Sequence, residues 1–139
     1  MGSRNLVTGW YFETLDTMGV QFEWEGQTVF VDSMPILTAG NMVELMLDEN
    51  SNSVPPATRE VVLVKLDEAG AQRWKSATGL AINSRLAGVV RGRLVSFPTV
   101  VAQIDSRYLS YSLGEKGRHR NGGMLEVLKA DSRVVSPVK

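Results

Sequence analysis

His119 is the only imidazole in the chain, and there is no cysteine. A metal centre would have to draw most of its ligands from carboxylates, and no run of acidic residues has the spacing of a calcium loop or a zinc site. A Ser-His-Asp relay would have to use His119, which stands among Gly114, Gly117, Gly122 and Gly123, a poor place to hold a ring still; no Gly-x-Ser-x-Gly elbow occurs. Glu23 with Glu25, and Asp48 with Glu49, are the pairs that acid-base cleavage of a glycoside would need. Carboxylates this close in sequence ordinarily sit on solvated turns. The glycines lack the strand-helix context and spacing of a phosphate cradle. The residue types therefore point away from catalysis, a bound metal and a nucleotide or other cofactor.

Binding chemistry is better represented. Trp10, Tyr11 and Phe12 are adjacent, and in a strand at least one of each neighbouring pair points into a core. Phe97-Pro98 closes a hairpin strand instead. An apolar corner at an open sheet edge suits an extended polypeptide that adds itself as a strand. Phe97 therefore marks the sharpest binding candidate the residues offer.

Fifteen basic residues balance fifteen acidic ones in 139 residues, so no global field gathers nucleic acid or an anionic membrane surface. The dense basic run Lys116-Gly117-Arg118-His119-Arg120 reads as a loop among glycines. A hydrophobic share of 43% with 22% charged residues is that of an ordinary globular domain. No apolar stretch approaches the roughly 20 residues of a membrane-crossing helix. The absence of cysteine is compatible with an oxidising compartment. Met1-Gly2-Ser3 reads as an expression remnant, so residues 1–5 form a start outside the fold, 6–135 a single domain and 136–139 a frayed tail.

These groups must be positioned by strands and one strong helix. Leu6 to Thr14 reads as a strand and Leu15 to Gly19 as a break. Val20, Phe22 and Trp24 alternate with polar residues before Glu25-Gly26-Gln27 turns the chain into Thr28 to Val31. An antiparallel meander is expected. Pro35 stops it, Thr38 is placed to cap a short helical turn, and Val43, Leu45 and Leu47 alternate as a strand. The polar, proline-rich segment from Asp48 to Pro56 is the longest exposed connection.

Glu60 to Leu66 is nearly continuous in β-branched and aliphatic residues, the mark of a central strand. Asp67 then caps a helix to Leu80 on which Trp74, Ala77 and Ala81 share a face, leaving Arg73 and Lys75 to water. Leu86 to Val90, the two-residue turn Arg91-Gly92, and Leu94 to Phe97 form a hairpin whose pairing Pro98 ends. Val100, Val101 and Ile104 make a short apolar turn. Tyr108 to Leu113 suggests another strand, and Met124, Leu125 and Leu128 suggest a closing helix.

In this order of elements the chain resembles the head subdomain of the first periplasmic domain of the SecD/SecDF protein-export translocase. The resemblance runs through Pro35-Ile36-Leu37-Thr38, Val61 to Leu66, Asp67-Glu68-Ala69-Gly70-Ala71 with Trp74 and Thr78, Leu86 to Gly92, Leu94 to Pro98, and Ile104. It covers residues 28–137. Stand-alone exported proteins that resemble this head, some of them lipoproteins, often begin with a strand like Gly9-Trp10-Tyr11. The turn departs from the pattern, carrying Arg91 where an acidic residue is common.

The expected fold is α+β: an antiparallel sheet with two helices packed on one face and an N-terminal hairpin extending it. The resemblance implies a non-catalytic, extracytoplasmic module of the periplasm or cell envelope that binds an unfolded or extended polypeptide or a cell-envelope protein, with Arg91, Arg93 and Phe97 lining or flanking the contact. Translocation itself belongs to membrane helices that this sequence lacks. Two other readings stand beside it: a ligand pocket between helix and sheet with Trp74 or Tyr108 in its wall, and a structural piece of an envelope assembly.

Overall fold

Strand β1 (Gly9–Thr14), built on the Trp10 to Phe12 aromatics, lies at the centre of the larger of two sheets. The structure, a computed structural model, describes residues 6–48, 59–115 and 127–132. In chain order the elements after β1 are β2 (Val20–Trp24), β3 (Gln27–Val31), β4 (Leu37–Thr38), a 3-10 turn (Ala39–Asn41), β5 (Met42–Asp48), β6 (Arg59–Leu66), α1 (Glu68–Leu80), β7 (Leu86–Val90), β8 (Arg93–Ser96) and β9 (Tyr108–Glu115). A short helix follows at 127–131. The mixture of antiparallel sheet with few helices is α+β, as composition and pattern imply.

The strands form two sheets where one was expected. The larger has the order β2-β3-β1-β7-β8, with β4 also on β1; the smaller is β5-β6-β9. Two left-handed residue pairs close the tight hairpins: Glu25 and Gly26 hold φ of 52° and 82°, Arg91 and Gly92 of 47° and 82°. Those values are what a two-residue turn needs to match the twist of its flanking strands. The hairpin near the N-terminus is β2 with β3. β1 does not pair with β2, as a simple meander would have it, but with β3, at Glu13↔Val31 and Thr14↔Phe30. After Val31 the chain continues along β1, where Asp32 N–H donates to Phe12 O and Ile36 N–H to Trp10 O. β3 and β4 thus share one edge of β1, while β7 takes the other.

One core cluster joins the two sheets to the helices. Trp10, Leu37, Met42, Val62, Val64, Leu66, Trp74, Leu86, Val90, Tyr111 and Leu128 all belong to it. Trp74 is 4% exposed, and its indole meets that of Trp10 edge-on at 5.2 Å between ring centres. Removing an indole from water is worth roughly 5 kcal/mol before conformational entropy offsets it. Because side chains alternate across a strand, Tyr11 lies on the opposite face of β1 from Trp10. There it packs with Val20, Val29, Val31, Ala87, Val89 and Phe97 in a second cluster. The larger sheet is therefore buried on both faces, and all of β7 with it.

Local signals at the helices are realised as read. The Thr38 side chain caps the 3-10 turn with Asn41 closing the capping box. The Asp67 carboxylate accepts from Gly70 N–H at 2.8 Å and from Asn41 Nδ2 at 3.1 Å, so one residue caps α1 and ties it to the 3-10 turn. Arg73 is exposed; Lys75 is half-buried and reaches Asp105 at 3.4 Å. Two details differ from expectation. Pro98 does not end the pairing, since its carbonyl, which proline keeps, accepts from Leu86 N–H at 3.0 Å, and Thr99 bridges to Arg85. Of the apolar turn, only Val100 is buried, while Val101 is 82% exposed. Most of the Asp48 to Pro56 connection, the Lys116 to Arg120 run, Met124, Leu125, residues 1–5 and the tail at 136–139 lie outside the described residues.

Candidate functional site

The Arg91-Gly92 hairpin is held from both sides. Arg91 N–H donates to Thr8 Oγ1 at 3.0 Å. Its Nη2 lies 2.7 Å from Asp131 Oδ1, and its Nε donates to both carboxylate oxygens, at 3.0 and 3.1 Å. Thr8 Oγ1 in turn donates to Asp131 Oδ2 at 2.6 Å. The start of β1, the β7–β8 turn and the short helix at 127–131 are thereby joined through one carboxylate. The Arg91 hydrogen bonds hold the Asp131 carboxyl below its usual range, against a smaller opposing effect of burial. This contact could not be read from sequence, because its partners lie 40 positions apart.

The three residues singled out on this hairpin have three different environments. The Arg91 guanidinium is 57% exposed and engaged by Asp131. Arg93, the first residue of β8, is exposed. Phe97 is 7% exposed and faces inward, belonging to the second core cluster. Its ring meets Trp24 edge-on at 5.8 Å between centres and carries the Arg85 guanidinium 4.1 Å above it. Arg85 closes as a fork on Glu13, with Nε at 2.9 Å and Nη2 at 2.7 Å from the two oxygens. Since Trp24 belongs to β2 and Phe97 follows β8, the two outer strands of the larger sheet converge at this ring pair.

β8 pairs with β7 at Val90↔Arg93 and Val89↔Leu94, then gains an extra residue before Gly88↔Ser96. That extra residue, Val95, makes a bulge, which bends an edge strand and breaks its regular run of donors and acceptors. Leu94 and Val95 are half-buried. Among the described residues no strand hydrogen-bonds to the outer edge of β8 or of β2, although β9 of the smaller sheet comes close to β8.

The remaining candidates for chemistry are dispersed. Glu23 Oε2 accepts from Thr28 Oγ1 across the β2–β3 hairpin at 2.9 Å, and Glu25 is an exposed turn residue. No group of three or more His, Asp or Glu side chains among the described residues could hold a metal ion. Burial pushes the Tyr11 hydroxyl up to about 12 and that of Tyr111 higher still, so both stay neutral. Each donates to a backbone carbonyl, of Val7 and Gly9 respectively, which is a structural use. A cleft of about 690 Å³ opens between Leu6 to Thr8, Thr38 to Gly40, Arg91 and Asp131. A smaller one of about 380 Å³ lies between α1 and Asp105 to Arg107. Neither Trp74 nor Tyr108 lines these clefts; Trp74 fills the core, and Tyr108 is 42% exposed at the start of β9.

These features define an α+β module of two antiparallel sheets, with converging edge strands and no assembled catalytic group among the described residues. A family model for the P1 head subdomain of SecDF matches residues 14–119, and the chain belongs to that family. Two solved structures share the fold. One is a crystal structure of SecDF in its super-membrane-facing form, with 19% identity and a TM-score of 0.59 over 75% of this chain and 13% of that one. The other is of SecDF described as a membrane component that enhances protein export, with 15% identity and a TM-score of 0.67 over 99% of this chain and 70% of that one. The chain therefore spans 13% of the first relative's length. No curated protein matches the chain. No helix among the described residues is long and apolar enough to cross a membrane.

Proposed function

We propose that this chain is a non-catalytic, extracytoplasmic module related to protein export, which engages an extended polypeptide or a cell-envelope partner along an open sheet edge. The observation that carries this reading is that the larger sheet ends in two strands, β2 and β8, to whose outer edges no described strand hydrogen-bonds. Unpaired backbone groups on such an edge bind an incoming strand, and the alternating side chains choose among partners. Arg91 and Arg93 flank the β8 end of this sheet, and Phe97 joins it to the β2 end through Trp24.

Family membership supports the reading: SecDF, to which the head subdomain belongs, is the membrane component that enhances protein export. The periplasm or cell envelope is the compartment that follows. Amide shifts of the labelled protein, followed during titration with a permanently unfolded polypeptide, test it. Shifts confined to edge strands and the Arg91 to Pro98 hairpin support the proposal. No localised shift anywhere at about millimolar ligand, the limit of weak specific binding, overturns it.

A further inference from the structure

β2 is an edge strand of different character from β8. It is five residues long and pairs with β3 without a register shift, from Val20↔Val31 to Trp24↔Gln27. Trp24 and Gln27 flank a two-residue turn, so they exchange both backbone hydrogen bonds, and the alternation of an antiparallel ladder fixes the rest. Phe22 and Val20 point their backbone groups at β3. Gln21 and Glu23 point theirs outward, where no described strand meets them.

The side chains of this strand are sorted by face as well. Val20, Phe22 and Trp24 turn toward the second core cluster, with Phe22 and Trp24 only half-buried, while Gln21 and Glu23 are exposed. Acidic groups surround the edge: Glu23 on it, Glu25 in the turn after it and Asp16 in the turn before it. The nearby Arg85 cation is already closed on Glu13. β8, by contrast, is four residues long, bulged at Val95 and followed by Pro98, three devices that blunt an edge against added strands.

We infer that the outer edge of β2 is where an extended polypeptide adds as a strand, and that it selects a segment in which apolar residues alternate with Lys or Arg. The inference rests on the polypeptide-binding reading above and specifies its edge and its partner's chemistry. The added strand bonds to the N–H and C=O groups of Gln21 and Glu23. Its apolar residues continue the Phe22 and Trp24 face, and its cations lie beside Glu23.

The test uses the full chain, labelled for amide detection, titrated with an alternating Val-Lys peptide and with its Val-Glu counterpart. The expected result is slowed hydrogen exchange at the Gln21 and Glu23 amides with the Val-Lys peptide, weakened by salt and absent with Val-Glu. Glu23→Lys should reverse the preference between the two peptides. Gln21→Pro should abolish binding while leaving the Phe22 and Val31 amides protected, since the N–H it removes serves no bond to β3. If that variant unfolds, Glu23→Lys still decides the matter. Shifts confined to the Arg91 to Pro98 hairpin, or equal binding of both peptides, overturn the β2 assignment and leave polypeptide binding standing. No localised shift with either peptide overturns both.

Discussion

The Arg85 guanidinium rests 4.1 Å above the centre of the Phe97 ring while its fork is closed on Glu13. A fork of this kind fixes the plane of the cation, and a fixed plane is what lets it lie flat on a ring. One arginine thus binds the end of β1 to the segment after β8 and covers the second core cluster.

Removing that ring is expected to be costly. Phe97→Ala should lower unfolding free energy by about 3–5 kcal/mol, the usual range for a buried phenylalanine. Arg85→Met keeps much of the apolar cover but removes both the cation–ring contact, worth about 1 kcal/mol at a partly exposed site, and the fork on Glu13, so its loss should exceed that of the ring contact alone. Urea denaturation of the two variants measures both. A Phe97→Ala effect under 1 kcal/mol would show that the ring is not the buttress described.

Asp131 should make stability depend on acid. Its folded-state pKa is depressed, chiefly by Arg91, so its stabilising contribution is fully present above the unfolded value of about 3.9. That contribution is lost as pH falls through the lower folded value. The wild-type advantage over Asp131→Asn, read from urea midpoints, should be constant near neutrality and shrink below about pH 4. An advantage unchanged at about pH 2 would place the stabilisation elsewhere.

Gly88 is required by close approach. A β-carbon there would lie 2.9 Å from Trp10 Cη2 and Cζ2 and 2.9 Å from Tyr111 Cε1, against rings that are themselves almost fully buried. Gly88→Ala should destabilise by about 1–3 kcal/mol, the range for overpacking a core. Thermal unfolding followed by near-ultraviolet dichroism would register both the loss and the disturbed aromatic packing.

Asp67→Ala should cost about 1–2 kcal/mol, because the carboxylate caps α1 at Gly70 and also holds Asn41 of the 3-10 turn. Asp67→Asn should recover most of the loss, since an amide oxygen can still accept at the cap. Helix-specific exchange rates at the first turn of α1 distinguish a lost cap from a general loosening.

The cap at Asp67, the turn at Arg91-Gly92 and the buried face of Trp74 were legible because each is decided within one or two turns of chain. Strand partnership was not. The five residues from Leu15 to Gly19 are compatible with a simple hairpin, and only the continuation of the chain along β1 after Val31 shows that β3 and β4 occupy the place β2 would have taken. The division into two sheets likewise depends on β6 choosing β5 and β9 as neighbours, a choice made across long separations. At the candidate site, Arg91 was visible as a hairpin cation, but the carboxylate that engages it was not. Phe97 was legible as an apolar corner, yet nothing local told that the corner turns inward to Trp24.

The three tryptophans fall on separate sides of the larger sheet, with Trp10 and Trp74 in contact between the layers and Trp24 on the far side against Phe97. The protein consequently carries its own optical gauges. Water reaching the paired indoles would redden their emission and report the layers parting, while the lone one would signal a strain on the outer ribbon that leaves the centre undisturbed.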